Sequence, residues 1–563
     1  MFFLLGAISG LMKGLSWPPF NLWWLSAFYL VPFLFLLPTC RTLRQVAIYG
    51  MGTAMLSTWL GFYWLAQLAV SFGGFPVALS PLVVLLYSLI GELPYLIFAL
   101  ILWWLWWGSP SRIEKKLPLL FYPALYTVID GLYPKIFCDT QGAMLYPWHQ
   151  LIQIAEHVGV LGLTFLVAWW NVALTALVAP LLVAGLSGRS KDLKANSDRI
   201  LSVLPRARVG MAHLIVCSLM IGGAHHWGLN RISELDGQRA RWSRHFKAAV
   251  IQANIGDADK LASENGSVKA LEFVLNTYAD MTYKAVAEYH PNLVVWPETA
   301  FPYNYTHLMD VAANQNFDAN DAWMKAFIQK IQTPLFFGSY SRERRKEFNT
   351  AFLVRPPFDL VGIYRKSILL AFGEYVPLGP FSNLITSMIP AIGNFGVGLG
   401  PKVFDLGRGA GIPGIESKGG PKIGPLICYE SIVPYYPRDV VRLGPELLLN
   451  ITNDSWFGES GEPYSHLYLT AFRSIELRRP LLRSTNTGIT ALIDPTGRIV
   501  SRTSISKPEI YSVDIPLPAE GEPGFEAGLY LRWGNWVLYL CGAFVLAVSW
   551  GIGREYLNKF LQK

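Results

Sequence analysis

Hydrophobic residues are distributed so unevenly along this chain that they divide it into two kinds of sequence. Long apolar runs fill residues 1–228 and 533–553, whereas residues 229–532 have the mixed composition of a soluble domain. Charged residues make up only 15% of the 563 residues, against about 25% in ordinary soluble proteins. We therefore predict a multi-pass α-helical membrane bundle that carries a separate α/β domain.

The apolar runs are long enough to cross a membrane about eight times, because a helix needs about 20 residues to cross about 30 Å of hydrocarbon. The first and fifth predicted spans are short. The eight spans are residues 2–16, 21–38, 46–68, 82–107, 117–132, 159–186, 209–227 and 533–553. Residues 1–17 lack the charged start and the small-residue cleavage site of a signal peptide, so we predict a span that is retained.

The positions of the basic residues orient the predicted spans. Lys and Arg cluster in the segments after spans two, four, six and eight, whereas the opposite short loops carry only Lys13 and Lys135. The positive-inside rule then places both termini in the cytoplasm. We expect a membrane domain of seven helices at 1–228, an extracytoplasmic domain at 229–520, and a final helix with a cytoplasmic tail at 521–563. This arrangement accounts for much of the net charge of +8.

Cysteine usage and charge patterning argue against several classes of ligand. The five cysteines form no CxxC pair and no Cys/His ligand spacing, so neither a zinc site nor a disulfide framework is indicated. No stripe of Lys and Arg interleaved with aromatic residues is present, which argues against nucleic acid as a partner. We expect no metal and no cofactor.

Residues 245–516 alternate between short apolar runs and amphipathic stretches. The runs include Ala248–Asn254, Leu293–Trp296, Leu335–Gly338, Ile423–Cys428 and Leu447–Ile451, and we predict a strand at each. Residues Val268–Tyr289 and Leu467–Leu477 have helical spacing. Such alternation predicts helices packed outside sheets, and by itself it does not distinguish a sandwich from a doubly wound sheet.

Three predicted strands end at side chains that form a working chemical set. One strand ends at Glu298, an extended segment ends at Lys366, and a buried strand stops at Cys428. A carboxylate can take the proton of a thiol, the thiolate can attack a carbonyl, and an ammonium can stabilise the oxyanion. Each residue alone has an ordinary structural reading: a helix-capping acid, a solvated lysine and a small buried hydrophobe.

The motifs around these residues resemble a known family. Trp296-Pro297-Glu298, Tyr364-x-Lys366 and Ile427-Cys428-Tyr429-Glu430 follow one another as the Glu-Lys-Cys motifs of the nitrilase superfamily do. With the predicted spans, the chain resembles the membrane-bound branch of that superfamily, the apolipoprotein N-acyltransferases. The resemblance implies an αββα sandwich in which Glu298 is the general base, Lys366 the oxyanion stabiliser and Cys428 the nucleophile.

The resemblance also implies supporting residues. Glu374, in Phe372-Gly373-Glu374-Tyr375-Val376-Pro377, would hold the Lys366 ammonium in place, and the N–H after Cys428 would be a second oxyanion donor. Residues of expected supporting or site-shaping role are Tyr429, Glu430, Asn349 and Trp456. The stretches after Lys366 and after Ile255 depart from the family pattern, which leaves substrate details open.

Three acids lie in or near the predicted spans, where carboxylates are costly. They are Glu92, Asp130 and Glu156. Asp130 occupies a place where the family usually has Glu, and the Arg expected shortly after it is absent. We assign no catalytic role to these three residues.

By resemblance, the chain would move an acyl chain from a phospholipid to Cys428, and then to the N-terminal α-amine of the diacylglyceryl-cysteine of an apolipoprotein. We expect a monomer in the bacterial cytoplasmic (inner) membrane. One alternative is a membrane-tethered nitrilase-type amidase with water as acceptor. Another is a transporter with a non-catalytic external domain, although no internal repeat supports it. Residues Leu378–Gly400 are predicted to form either a short core helix with a loop or a lid that admits acyl chains.

Overall fold

The computed structural model divides the chain into two compact units. It describes residues 2–108, 117–186, 191–264, 266–305, 319–343, 346–377, 379, 393–407, 420–519, 522, 524 and 526–561. The first unit comprises Met1–Ala66, Pro76–Arg231 and Gly528–Lys563, and the second comprises Gln67–Phe75 and Ile232–Ala527. Most of the predicted lid, Leu378 and residues 380–392, lies outside the described residues.

The first unit is helical. The helices described before β1 are, in chain order, α1 (Phe2–Leu15), α2 (Leu30–Leu36), α3 (Leu43–Gly61), α4 (Leu65–Ser71), α5 (Ser80–Ser88), α6 (Leu93–Trp103), α7 (Phe121–Leu132), α8 (His149–Ile152), α9 (Ala155–Leu186), α10 (Lys191–Val203) and α11 (Ala207–Arg239). Helix α4 leads into Gln67–Phe75, which belongs to the second unit. Helix α9 is kinked at Gly159, whose backbone is not helical.

In the part of the chain that the structure describes, three helical stretches are long and apolar enough to cross a membrane: Val77–Trp107, Ala155–Gly185 and Ala207–Arg239. Shorter apolar helices occupy Phe2–Leu15, Trp23–Thr39 and Trp536–Gly551. These helices are those of a membrane protein, and they fall where apolar spans are predicted. The count of eight spans stays a prediction.

Helices α1 and α3 pack closely because α1 carries small residues on one face. A Cβ atom on Gly6 would lie 2.1 Å from the carbonyl oxygen of Tyr49, and one on Gly10 would lie 2.4 Å from that of Thr53. The Thr53 hydroxyl also donates to the Gly6 carbonyl over 2.8 Å. Glycines four residues apart allow two membrane helices to approach at backbone distance, which is how such helices associate in a lipid environment.

A cluster of five buried charged side chains joins the ends of helices in the first unit. Its members are Lys13, Glu92, Asp130, Lys135 and Asp139. Lys13 pairs with Glu92, and the Lys135 ammonium lies 2.7 Å from Asp130 Oδ1. The Asp139 carboxylate lies 3.8 Å from Lys13 and 4.0 Å from Lys135. Charges removed from water in this way must be paired, so we interpret this helix-end cluster as structural.

The second unit contains two six-stranded sheets. Its strands are β1 (Arg244–Gln252), β2 (Leu293–Val295), β3 (Leu335–Glu343), β4 (Lys346–Arg355), β5 (Asp359–Arg365), β6 (Phe404–Asp405), β7 (Lys422–Ile427), β8 (Leu447–Thr452), β9 (Leu481–Thr485), β10 (Ala491–Ile493), β11 (Ile499–Arg502) and β12 (Glu509–Leu517). The first sheet has the order β12-β1-β2-β3-β4-β5, and the second has the order β11-β10-β9-β8-β7-β6.

Among the described residues, five further helices belong to the second unit, and two more return the chain to the first. They are α12 (Asp257–Glu264), α13 (Val268–Tyr289), α14 (Ala319–Ile331), α15 (Tyr435–Val441) and α16 (Glu462–Leu477), followed by α17 (Leu529–Trp533) and α18 (Trp536–Leu561). In each sheet the central strands β1-β2-β3 and β7-β8-β9 are parallel, and the outer pairings are antiparallel.

The two sheets form the inner layers of a sandwich. On one face of the first sheet, residues such as Val294 and Phe337 pack with Tyr278 of α13 and Phe327 of α14. Residues that point the other way include Phe336, whose ring lies 6.0 Å from that of Phe404 on the second sheet. Alternating side chains of one strand thus face helices and the partner sheet in turn. The αββα architecture implied by the resemblance is confirmed.

Candidate active site

The chain turns sharply at Cys428, directly after β7. Cys428 has a φ angle of 50°, in the left-handed region that a residue with a Cβ rarely adopts and that costs about 1–3 kcal/mol. A short 3-10 turn, Cys428–Ser431, follows. The strained backbone turns the residue out of the buried strand and leaves it partly accessible.

Glu430 holds this turn against the segment that follows β5. It is fully buried, and its Oε2 accepts the Ile427 N–H over 2.8 Å. Its Oε1 accepts the Tyr364 hydroxyl over 2.6 Å and the N–H groups of Ser367 and Ile368 over 2.7 and 3.1 Å. Burial raises the pKa of Glu430 to about 7, although these donors oppose the rise. One carboxyl therefore joins the cysteine turn to the backbone next to Lys366.

Glu298 lies just beyond the end of β2 and is almost completely buried. Its Oε1 accepts a hydrogen bond from Asn349 Nδ2 over 2.7 Å and lies 3.5 Å from Lys366 Nζ. Its Oε2 accepts the backbone N–H of Asn453 over 2.9 Å. Both oxygens are therefore held by groups on three separate chain segments, which fixes the orientation of the carboxylate.

Lys366 follows β5 and is 2% exposed. Its Nζ donates to Glu374 Oε1 over 2.9 Å, and its backbone N–H donates to the Asn349 carbonyl over 2.8 Å. Burial alone would lower the pKa of Lys366, but Glu374, Glu298 and Cys428 outweigh burial and hold that pKa above its usual value. The side chain is therefore an ammonium at neutral pH.

Asn349 on β4 connects the two carboxylates on either side of that ammonium. Its Nδ2 donates to Glu298 Oε1 over 2.7 Å and to Glu374 Oε1 over 3.1 Å. The other oxygen of Glu374 accepts the N–H of Leu370 over 2.9 Å. Two like charges are thereby held on either side of one lysine, with an amide between them to limit their repulsion.

The thiol of Cys428 lies close enough to Glu298 and Lys366 for both charges to act on it. Burial, together with the Glu298 carboxylate, raises the pKa of the Cys428 thiol, and Lys366 and a hydrogen bond with Thr452 oppose the rise. The resting sulfur is therefore protonated. An ordered carboxylate beside a protonated thiol suits proton transfer at the moment of attack, and a buried ammonium suits an oxyanion.

A second buried polar group lies behind the cysteine turn. The carboxylate of Asp454 pairs with Arg483 over 2.7 Å and lies 3.6 Å from His466 Nδ1. Although burial alone would raise it, Arg483 and His466 hold the pKa of Asp454 below its usual range. Asp454, His466 and Glu462 place ligand-type atoms within 4.8 Å of one another. The guanidinium already neutralises Asp454, so this donor set is a poor fit for a cation.

Trp456 lies at the edge of this group and contacts a segment that the sequence assigns to the membrane domain. The Ser71 hydroxyl donates to the Trp456 carbonyl over 3.0 Å, and the Phe72 ring meets the indole edge-on at 4.7 Å. A Cβ on Gly458 would lie 2.0 Å from Gln67 Nε2. Residues Gln67–Phe75 thus support the loop that begins at Asn453. No local pattern in the sequence indicated this contact.

The structure therefore brings together Glu298, Lys366, Glu374, Asn349 and Cys428, with Glu430 buried beneath the cysteine turn. Tyr429 is half-buried beside the thiol, and Trp456 is placed on the neighbouring loop. The predicted pair of Arg473 and Glu476 forms on α16, with 3.0 Å between Nη2 and Oε2. Sequence reasoning missed Thr452, whose position follows from strand pairing.

Two protein-family models match this chain. Residues 247–522 match the carbon-nitrogen hydrolase family model, and residues 9–173 match that of the apolipoprotein N-acyltransferase N-terminal domain. An apolipoprotein N-acyltransferase of Bdellovibrio bacteriovorus is 29% identical, over 98% of this chain and 93% of its own length. One of Geobacter metallireducens is 28% identical, over 97% of this chain and 94% of its own length.

A solved amidase structure from Nesterenkonia sp. is similar over 49% of this chain and 93% of that one, with 19% identity and a TM-score of 0.34. The sandwich and the matched model define the second unit as a carbon-nitrogen hydrolase domain of the nitrilase superfamily. Since both family models and relatives of nearly equal length match, the chain belongs to the apolipoprotein N-acyltransferase family. It is an enzyme of the acyltransferase class.

Proposed function

We propose that this enzyme transfers an acyl chain from a phospholipid, through a thioester on Cys428, to the N-terminal α-amine of the diacylglyceryl-cysteine of an apolipoprotein. The observation that carries this proposal is the buried set of Glu298, Lys366 and Cys428 in a chain whose full-length relatives are N-acyltransferases. Two lipid-anchored substrates also give a reason for joining a hydrolase-type domain to a helical membrane unit.

In the first half-reaction, Glu298 accepts the thiol proton as Cys428 attacks the ester carbonyl. The bond between the carbonyl carbon and the ester oxygen then breaks, and Glu298 returns the proton to the departing lysophospholipid alcohol. The ordered carboxylate beside a protonated thiol supports this assignment. General base catalysis of this kind contributes about 10²- to 10⁴-fold.

The tetrahedral intermediate carries a negative charge that needs a fixed partner. In our proposal, Lys366 supplies the charge and the N–H of Tyr429 supplies a hydrogen bond. Glu374 and Asn349 hold Lys366 and Glu298 at fixed positions. Donors that are already oriented when charge develops lower the barrier without reorganisation. Glu430 is assigned the role of keeping the Cys428 turn and the Lys366 segment in register, and Trp456 that of shaping the neighbouring loop.

In the second half-reaction, the α-amine attacks the thioester carbonyl. Glu298 removes a proton from the nitrogen and passes it to the departing sulfur, which leaves an amide and a free thiol. An α-amino group has a pKa of about 8, so a usable fraction is neutral near pH 7. The scheme is a ping-pong reaction, in which each substrate meets the enzyme alone.

We also propose the location of the chemistry. The charge pattern of the predicted loops favours a bacterial inner membrane protein with both termini in the cytoplasm and the hydrolase domain on the periplasmic side. A cysteine introduced at the exposed Asn276 should then react with a membrane-impermeant maleimide in intact spheroplasts. One introduced at the exposed Arg44 should react only after permeabilisation. The reverse pattern would contradict this topology.

The reaction itself is tested by intact-mass analysis of the full-length enzyme in detergent. Phospholipid of one defined chain length should add one acyl group to Cys428, and a diacylglyceryl-cysteine peptide should then remove it and gain that mass. Cys428→Ala should show no adduct, and Cys217→Ser, a matched change at a buried cysteine of α11, should behave as the wild type does.

Two results would overturn the proposal. If the peptide is acylated without any adduct on Cys428, the thioester step is wrong. If fatty acid and lysophospholipid appear in equal amounts while the peptide is not consumed, the enzyme is the amidase-type hydrolase that uses water as acceptor.

A further inference from the structure

Thr452 is placed next to the nucleophile by strand register. Strands β7 and β8 are parallel, and Ile427 pairs with Ile451 at the end of the ladder. The residues that follow this pair are Cys428, directly after β7, and Thr452, the last residue of β8. On its other side Thr452 pairs with Thr485 of β9, and it is fully buried. A central position between two strands fixes its hydroxyl far more firmly than a loop would.

The Thr452 hydroxyl lies between two acceptors. Its Oγ1 donates to Asp454 Oδ1 over 3.1 Å, and the hydroxyl is close enough to the thiol of Cys428 to lower the pKa of that thiol. A hydroxyl carries one proton but can also accept. In the resting enzyme the hydroxyl proton points to the Asp454 carboxylate, and the neighbouring thiol is protonated. When the sulfur becomes anionic it can accept a hydrogen bond, so a second direction for the hydroxyl proton becomes favourable.

We propose that Thr452 turns its hydroxyl proton from Asp454 to the sulfur of Cys428 as the thiolate forms, and so acts as a hydrogen-bond donor to the nucleophile. No covalent bond to hydrogen breaks at Thr452, because only the O–H direction changes while Glu298 takes the thiol proton. Once the thioester has formed, the hydroxyl returns to Asp454. The inference rests on the proposed function only in that Cys428 is the reacting group.

The environment of Asp454 makes this rotation feasible. The carboxylate loses one donor when Thr452 turns away, but it keeps the Arg483 guanidinium at 2.7 Å and the nearby His466 ring. Arg483 is in turn held by Asn450 Oδ1 over 3.0 Å. Asp454 therefore stays compensated in both states, and a buried anion that stays compensated does not oppose the rotation.

Other ionisable groups also act on the thiol, and the test must leave them unchanged. Those that face Cys428 or its turn from the elements packed around it are Glu298, Lys366, Glu374, Glu430, Asp454, Glu462, His466 and Arg483. Thr452→Val alters none of these charges and keeps the branched shape of the side chain. Thr452→Ser keeps the hydroxyl and removes only a methyl group.

The experiment measures alkylation of Cys428 by iodoacetamide from pH 7 to 11, by mass spectrometry of the full-length enzyme in detergent. The thiolate is the reacting form, so at any pH below the thiol pKa the alkylation rate constant is proportional to the fraction of thiolate. We expect Thr452→Val to lower this rate constant about tenfold across the pH-rate profile, which corresponds to a thiol pKa about one unit higher. Thr452→Ser should restore most of the wild-type profile. Thr485→Val, a buried neighbour bonded to Gln252 instead, should leave the profile unchanged.

A second measurement separates chemistry from binding. Thr452→Val should lower kcat for acyl transfer while KM for phospholipid stays within about twofold. Should Thr452→Val fail to accumulate as folded enzyme, Thr452→Ala removes the same hydroxyl without branching at Cβ and takes its place. The inference is wrong if the variant without the hydroxyl has the same pH-rate profile as wild type. It is also wrong if Thr452→Ser has the same profile as the variant without the hydroxyl. Neither result depends on whether Cys428 is acylated by phospholipid, so the proposed function is judged separately.

Discussion

Each unit of this enzyme contains a buried cluster of lysines and carboxylates, and the two clusters are built differently. The helix-end cluster of the first unit joins Lys13, Glu92, Asp130, Lys135 and Asp139. The site cluster of the second unit joins Glu298, Asn349, Lys366 and Glu374. In the site cluster, each carboxylate oxygen has at least one hydrogen-bond donor. In the helix-end cluster, Glu92 Oε2 and Asp130 Oδ2 accept no hydrogen bond from any described residue.

The difference shows which structural features separate a candidate active site from a charge cluster that we interpret as structural. Both clusters are buried and paired, so neither burial nor pairing identifies an active site. The carboxylates of the site cluster also accept hydrogen bonds from three neutral groups, two backbone N–H groups and one side-chain amide. The cluster lies beside a cysteine whose backbone conformation is strained. Preorganised donors of this kind are suited to stabilising a transition state, whereas we interpret the charge pairing between helix ends as holding those helices together.

The largest effect is expected from removing the lysine of the site cluster. Lys366→Met should lower acyl transfer by about 10²- to 10³-fold, because the oxyanion loses its charged partner. The variant should be assayed together with thermal unfolding, and rates should be given per folded molecule. If the rate per folded molecule stays within tenfold of wild type, Lys366 is not the oxyanion stabiliser.

The matched change in the first unit should act on stability instead. Lys13→Met leaves Glu92 buried without its partner, which should cost about 3–5 kcal/mol of unfolding free energy. Rates per folded molecule should stay within about twofold. The double variant Lys13→Met with Glu92→Gln should recover most of the lost stability, because no charge is then left alone. A large loss of rate in the double variant would show that the helix-end cluster takes part in the chemistry.

The smallest effect is expected at Glu430, a buried carboxyl that has no cation within 4.0 Å among the described residues. Its pKa is raised to about 7, so the folded state binds the proton more tightly than the unfolded chain does. The stabilising contribution is present below about pH 4.5 and is lost as pH rises to 7, by at most about 1.4 kcal/mol per pH unit. Thermal unfolding from pH 5 to 8 should show this decline in wild type and a flatter profile in Glu430→Gln. Profiles that decline in parallel in wild type and Glu430→Gln would contradict this prediction.

Much of the second unit follows from local pattern. The helix predicted at Val268–Tyr289 has those bounds in the structure, and the strand predicted at Leu447–Ile451 extends by one residue, to Thr452. The polar residues that follow three extended segments indicated Glu298, Lys366 and Cys428, and the structure brings these three side chains together. In the first unit, the lengths of the apolar runs predicted the positions of helices, because a helix must be long and apolar to cross the hydrocarbon layer.

The contacts that sequence could not give are those between distant segments. Nothing near Asn349 indicates that its amide joins two carboxylates, since the acids lie on other segments. Thr452 looks like an ordinary strand residue until the pairing of β7 with β8 is known. Residues Gln67–Phe75 read as part of an apolar span and its turn, yet they pack beside Trp456. Register and long-range packing set these contacts, and neither has a local signature.

The pairing of β12 with β1 has a consequence for the biogenesis of this enzyme. The register joins Arg244 to Leu517, so the first sheet cannot close until the last strand of the domain has been synthesised. Until then β1 has an unpaired edge, which is the kind of surface that aggregates during slow, non-local folding. Truncation before Glu509 should therefore yield a chain that is degraded by quality-control proteases, even though Glu298, Lys366 and Cys428 would all be present.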